Sequence, residues 1–123
     1  MTQPESINRA TEEVLRQFGR IDILVNNAGI SWGAPFEQMK LVDWERVLST
    51  NLTGTFLMTQ SVGRVMISQR SGSIVNVASV AGITGAPAET LQATAYHASK
   101  GAVTTLAKDL ACKWQFTISV LTP

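Results

Sequence analysis

Residues 21–29, IDILVNNAG, carry the reading that decides the fold. The run is short, mostly β-branched or apolar, and ends in Asn27-Ala28-Gly29, which has the composition of a turn. It predicts a buried strand over residues 21–26. A second run, Ile74-Val75-Asn76-Val77-Ala78-Ser79, follows the Ser71-Gly72 turn and is nearly continuous in apolar residues. Strands covered on both faces of a parallel sheet read this way.

The segments around these strands read as helices. Ile7, Ala10, Val14, Leu15 and Phe18 recur at helical spacing, with Thr2 and Glu5 disposed as a capping box and Gly19 as a stop, so residues 3–18 are predicted helical. From Asp43, a candidate N-cap, positions Trp44, Val47, Leu48, Leu52, Phe56, Val62 and Met66 keep a helical rhythm to about Gln69. Gly54 and Gly63 inside that helix each cost about 1 kcal/mol against Ala, which points to close packing or a bend. Residues 80–93, VAGITGAPAETLQA, form a loop, and Ala95, Ala98, Val103, Leu106, Leu110 and Trp114 mark a third helix. ISVLT at 118–122 is a candidate third strand. Strands alternating with helical crossovers of this length give right-handed βαβ units. The predicted class is α/β, a partial Rossmann-like, doubly wound parallel sheet.

The bulk properties exclude several classes of function. A chain of 123 residues fits one domain with a real core. Ten basic and nine acidic residues give a net charge of +1 with no basic stripe, so nucleic acid is not an expected partner. Cys112 is the only cysteine, which rules out an intrachain disulfide and points to a reducing cytoplasm. No apolar run reaches the ~18–20 residues of a membrane span, and the amphipathic N-terminus is unlike a signal peptide. No His, Cys or carboxylate cluster has metal-ligand spacing, so no metal is expected.

In open parallel sheets, ligands bind beyond the carboxyl ends of the strands. The first strand delivers Asn27-Ala28-Gly29 there, where small residues let the backbone approach a flat ligand, and the second delivers Ser79. Tyr96 and Lys100 lie four residues apart near the start of the third helix and so share a face. A phenol works as an acid-base catalyst near neutral pH only if its anion is stabilised. A lysine cation ~4 Å away contributes about 4 kcal/mol at an effective dielectric near 20. Ser79 is placed to hydrogen-bond a reacting oxygen, and Asn51 to hold a water linking Lys100 to solvent.

Asn27-Ala28-Gly29, Asn51, Ser79 and Tyr96-His97-Ala98-Ser99-Lys100 together, in this order, resemble the motifs of the classical short-chain dehydrogenases/reductases, and the resemblance covers residues 1 to about 114. It implies that Tyr96 is the general acid or base, that Lys100 tunes it and binds the nicotinamide ribose, that Ser79 orients the substrate and that Asn51 anchors a proton relay. It implies hydride transfer between NAD or NADP and a small-molecule carbonyl or alcohol, with Asn27, Ala28, Gly29, Tyr96 and Lys100 contacting the cofactor. A homo-oligomer through the helices near 43–69 and 94–114 is implied as well. The stretch ETLQATAYHASKGAV is similar to gluconate 5-dehydrogenase-like and 3-oxoacyl reductase-like members.

Measured against that family, residues 1–123 read as a single partial domain without the glycine-rich turn that meets the cofactor pyrophosphate and without the C-terminal substrate segment. The rival expectation is an inactive remnant that serves only as a folding or oligomerisation module. A Ser79, His97, Asp109 hydrolase triad is disfavoured, because His97 adjoins Tyr96 on a different helix face and VASVAG lacks a Gly-x-Ser-x-Gly elbow.

Overall fold

The computed structural model describes residues 3–114, and residues 119–121 for their backbone. Helix α1 spans Pro4–Phe18, strand β1 Ile23–Asn26, helix α2 Leu41–Leu48, helix α3 Gly54–Gln69, strand β2 Ser73–Asn76, helix α4 Thr94–Trp114 and strand β3 Ser119–Leu121. A five-residue π-turn, Ser49–Thr53, joins α2 to α3 without a break. The predicted elements are all present, with strands shorter than expected. Residues 118 and 122 of the third predicted strand lie outside the described residues.

Two helix starts differ from the sequence reading. At α1, Gln3 occupies the cap position with no side-chain capping bond and Pro4 is the first helical residue. Proline's fixed φ suits that place and its missing N–H is no loss there, so no capping box is needed. Thr2 lies outside the described residues. The next helix begins at Leu41, with Lys40 in the cap position, and Asp43 falls in its first turn, where a carboxylate favours the helix dipole. Gly19 does stop α1: it adopts φ 76° and returns its N–H to the Leu15 carbonyl.

The three strands are parallel in the order β1-β2-β3, with Ile23 opposite Ser73 and Asn26 opposite Asn76. Two successive right-handed crossovers that progress in one direction place both connecting helices on the same face. On that face Ile21, Val62, Met66, Ile74 and Ala107 form the core, with Leu15, Leu24, Leu110 and Trp114 packed against it. Helix α1 joins this layer, where the Ser61 hydroxyl donates to the Thr11 hydroxyl at 3.0 Å. Gly63 makes room for Trp114, because a Cβ there would lie 2.8 Å from the indole edge.

Sequence alone reads both strands as doubly covered, but helices α1, α3 and α4 pack against the Leu24 and Ile74 side. Ile23 and Val25 point the other way and are 65% and 55% exposed. At the carboxyl end of the strands Asn26 Nδ2 donates to Asn76 Oδ1 at 2.8 Å and to the Thr59 hydroxyl at 2.9 Å, which clasps the strand ends to α3. Among the described residues no helix is long and apolar enough to cross a membrane. Ile74→Ala should cost about 2–5 kcal/mol in urea unfolding, as deletions in a packed core do. Ile23→Ala in the same chain should cost much less, because most of that side chain stays in water.

Candidate active site

The sheet ends and the first turns of α4 bring the sequence-predicted residues together. Strand β2 runs out through Val77, whose carbonyl accepts the Lys100 ammonium at 2.6 Å. Lys100 is 5% exposed, and its Nζ lies 5.6 Å from the centre of the Tyr96 ring. The side chains of Tyr96 and Lys100 thus share one helix face, as their spacing requires. The loop after β1 closes the third side. A Cβ added to Gly29 would sit in ordinary contact, 3.5 Å from Asn51 Oδ1 and 3.6 Å from Lys100 Nζ, so the Gly29 backbone passes close beside both groups. Asn27 and Ala28 precede it in the exposed part of that loop.

Asn51 sits in the π-turn and is 2% exposed. Inserting one residue into a helical ladder shifts the register of the side chains around it, and such turns are frequent at functional sites. Its Oδ1 accepts the Ile30 N–H at 2.8 Å, while Nδ2 donates to the Ile30 carbonyl at 2.9 Å and to the Ser99 hydroxyl at 2.9 Å. The two protons of its side-chain amide are both committed, so the amide could hold a water only as an acceptor. Its carbonyl accepts the Thr55 hydroxyl at 2.8 Å.

Ser79 enters through a different device. It is extended, at φ −165° and ψ 152°, and caps the short Val80–Gly82 turn by accepting the Ala81 N–H at 3.2 Å. Gly82 then lies directly on α4. A Cβ on Gly82 would stand 2.7 Å from the Lys100 carbonyl carbon and 2.8 Å from the Gly101 nitrogen. Backbone against backbone fixes Ser79 relative to the Tyr96 and Lys100 turn. Ile30, Val77, Ser99, Gly82 and Gly101 carry this geometry and were assigned no role by sequence reasoning. The only signal for them is their place inside the VASVAG and YHASKG strings and, for Ile30, directly after Asn27-Ala28-Gly29.

His97 packs edge-on to Tyr96, with centroids 6.5 Å apart, and its Nδ1 lies 2.9 Å from the Ala93 carbonyl. Asp109 pairs with Lys113, one turn along the exposed side of α4. Nothing brings Asp109 to His97, in keeping with the rejection of a hydrolase triad. Gly82→Ala should destabilise the protein by about 1–3 kcal/mol, since backbone must move to admit the methyl. Gly85→Ala, whose Cβ would meet nothing within 4 Å, should change urea stability by less than about 0.5 kcal/mol or raise it.

The profile of the short chain dehydrogenase family matches residues 1–122. A 3-oxoacyl-[acyl-carrier-protein] reductase of Aquifex aeolicus is 51% identical over 107 residues, 87% of this chain and 43% of the relative. Among solved structures, NAD+-bound xylitol dehydrogenase superposes with a TM-score of 0.91 at 39% identity, covering 98% of this chain and 46% of that one. ElxO with NADP bound gives a TM-score of 0.92 at 31% identity, covering 98% of this chain and 48% of that one. The chain thus spans somewhat less than half the length of each of these relatives. The order of motifs, the parallel sheet and the match along the whole described length agree, and the chain belongs to the short-chain dehydrogenase family.

Proposed function

We propose that these residues form the proton-transfer part of an NAD(P)-dependent oxidoreductase that interconverts a carbonyl and an alcohol. The observation that carries the reading is the buried Lys100 ammonium, held at 2.6 Å by the Val77 carbonyl and turned toward Tyr96 beside the Gly29 backbone. A buried cation without a carboxylate partner is costly, and it is kept where its charge acts on a neighbour.

In reduction the Tyr96 hydroxyl gives its proton to the carbonyl oxygen; in oxidation its anion takes the alcohol proton. Lys100 stabilises that anion, and the Ser79 hydroxyl, whose oxygen already accepts the Ala81 N–H, keeps its proton to donate to the reacting oxygen. The residues present fit a nicotinamide cofactor at its ribose end. The small residues Ala28 and Gly29 would let the loop backbone approach it closely, and Lys100 would hold a ribose hydroxyl. A bound nicotinamide supplies or accepts the hydride. One solved relative is NAD+-bound and another has NADP bound, so either dinucleotide is consistent.

The substrate is a small molecule. The loops after β1 and β2 are tied by the Ala34 N–H to the Gln92 carbonyl at 2.9 Å. Beside them lie two adjoining cavities of about 370 and 240 Å³, which share Ala86, Leu91 and Thr94, and the second reaches His97 next to Tyr96. The lone exposed Cys112 suits a reducing compartment, and we place the protein in the cytoplasm.

In the complete protein Tyr96→Phe should lower kcat by about 10²–10⁴-fold, the range for loss of a general acid or base, while cofactor affinity is retained. Full turnover in that variant would overturn the assignment.

Self-association through α3 and α4 is part of the same reading. Between these helices Phe56, Leu106, Leu110 and Trp114 line an apolar groove of about 220 Å³ with Thr59 and Gln60, and Phe56 is 44% exposed. Phe56→Asp should reduce the mass of the assembly in sedimentation velocity without unfolding the chain. An unchanged mass would count against this interface.

A further inference from the structure

Ser99 takes no part in the reaction proposed above, yet it is 0% exposed and lies inside the turn that carries Tyr96 and Lys100. Its hydroxyl is engaged on both sides. It donates to the Tyr96 carbonyl at 2.8 Å and accepts from Asn51 Nδ2 at 2.9 Å. The same amide grips Ile30 by its N–H at 2.8 Å and its carbonyl at 2.9 Å. One series of hydrogen bonds therefore runs from the residue after Asn27-Ala28-Gly29, through the π-turn, to the backbone of Tyr96.

The proton inventory of this series closes in one way. Nδ2 has two protons, which go to Ile30 and Ser99, and the serine has one, which goes to Tyr96. The opposite amide orientation would set Oδ1 against the Ile30 carbonyl and Nδ2 against the Ile30 N–H, two repulsive pairs. Asn51 and Ser99 are buried and all their protons are placed, which is the condition under which a polar network rigidifies what it joins.

We infer that Ser99 is a positioning residue, a strut that holds Tyr96 in register with the loop at residues 27–30. This rests on the oxidoreductase reading, in which that loop meets the cofactor and Tyr96 meets the substrate oxygen. Hydride and proton arrive at the two atoms of a single substrate bond, so the two carriers must hold their spacing. A displacement of about 1 Å can cost on the order of 10²-fold in rate.

The test compares wild type with Ser99→Ala in the complete protein. Expected is a fall in kcat of about 10–100-fold, little change in cofactor affinity or KM, and a larger primary isotope effect with cofactor deuterated at the transferred position. A variant that melts lower yet keeps kcat within about twofold of wild type overturns the inference, because loss of packing alone predicts that result. If Ser99→Ala does not fold, Ser99→Cys, similar in size with a weak donor, is read by the same criterion. If wild type itself transfers no hydride, the functional reading fails separately. The strut is then judged from the melting temperatures of Asn51→Ala, Ser99→Ala and the double variant. A combined shift smaller than the sum of the two supports it, and simple addition overturns it.

Discussion

A single buried ammonium sets the terms for the rest of this structure. Lys100 is 5% exposed and bonds to the Val77 carbonyl at 2.6 Å. Leaving such a charge without an organised surrounding would be destabilising, because a buried ion must recover by hydrogen bonds what it loses in hydration. The bond recovers part of this cost and also pins α4 to the outlet of β2. From that anchor the other clearances follow. The Gly29 backbone passes close to Nζ, and Gly82 must be bare where it crosses the backbone at Lys100 and Gly101.

The second constraint is the π-turn at Ser49–Thr53. A straight α-helix from Leu41 to Gln69 would present Asn51 at another angle, because each residue inserted into a turn advances the side chains by roughly 100°. With the insertion, Asn51 faces both the loop after β1 and the start of α4. It is buried, with both amide protons and its Oδ1 bonded. The helix supplies rigidity, and its local irregularity supplies aim.

Much of this was legible in the sequence, for identifiable reasons. The strands announced themselves through IDILVN and SIVNV, runs too short and too β-branched for helix. Gly19 marked the end of α1 because only glycine takes a left-handed φ without strain. Tyr96 and Lys100 showed as a pair because a helix repeats nearly every four residues. What stayed hidden is tertiary. No periodicity reveals that Asn51 sits in a π-turn, and propensity does not distinguish Gly82, pressed on α4, from Gly85, which faces open space. Ser99 falls within a motif, but a serine in the second turn of a helix looks like any other until its two partners are seen.

The strands teach a related lesson in the opposite direction. A continuous apolar run is the signature of cover on both faces, and on the Leu24 and Ile74 side that cover is present. On the other side Ile23 and Val25 stand in water to 65% and 55%, so β1 carries more hydrophobic code than the described helices satisfy. The site does not share that shortfall. The bonds that orient Asn51, Ser79, Tyr96 and Lys100 come from the β1 outlet, the π-turn, the turn after β2 and α4, all on or beyond the covered side. Stability of the sheet and geometry of the site therefore draw on different contacts, and a change in what covers Ile23 and Val25 would alter the first before the second.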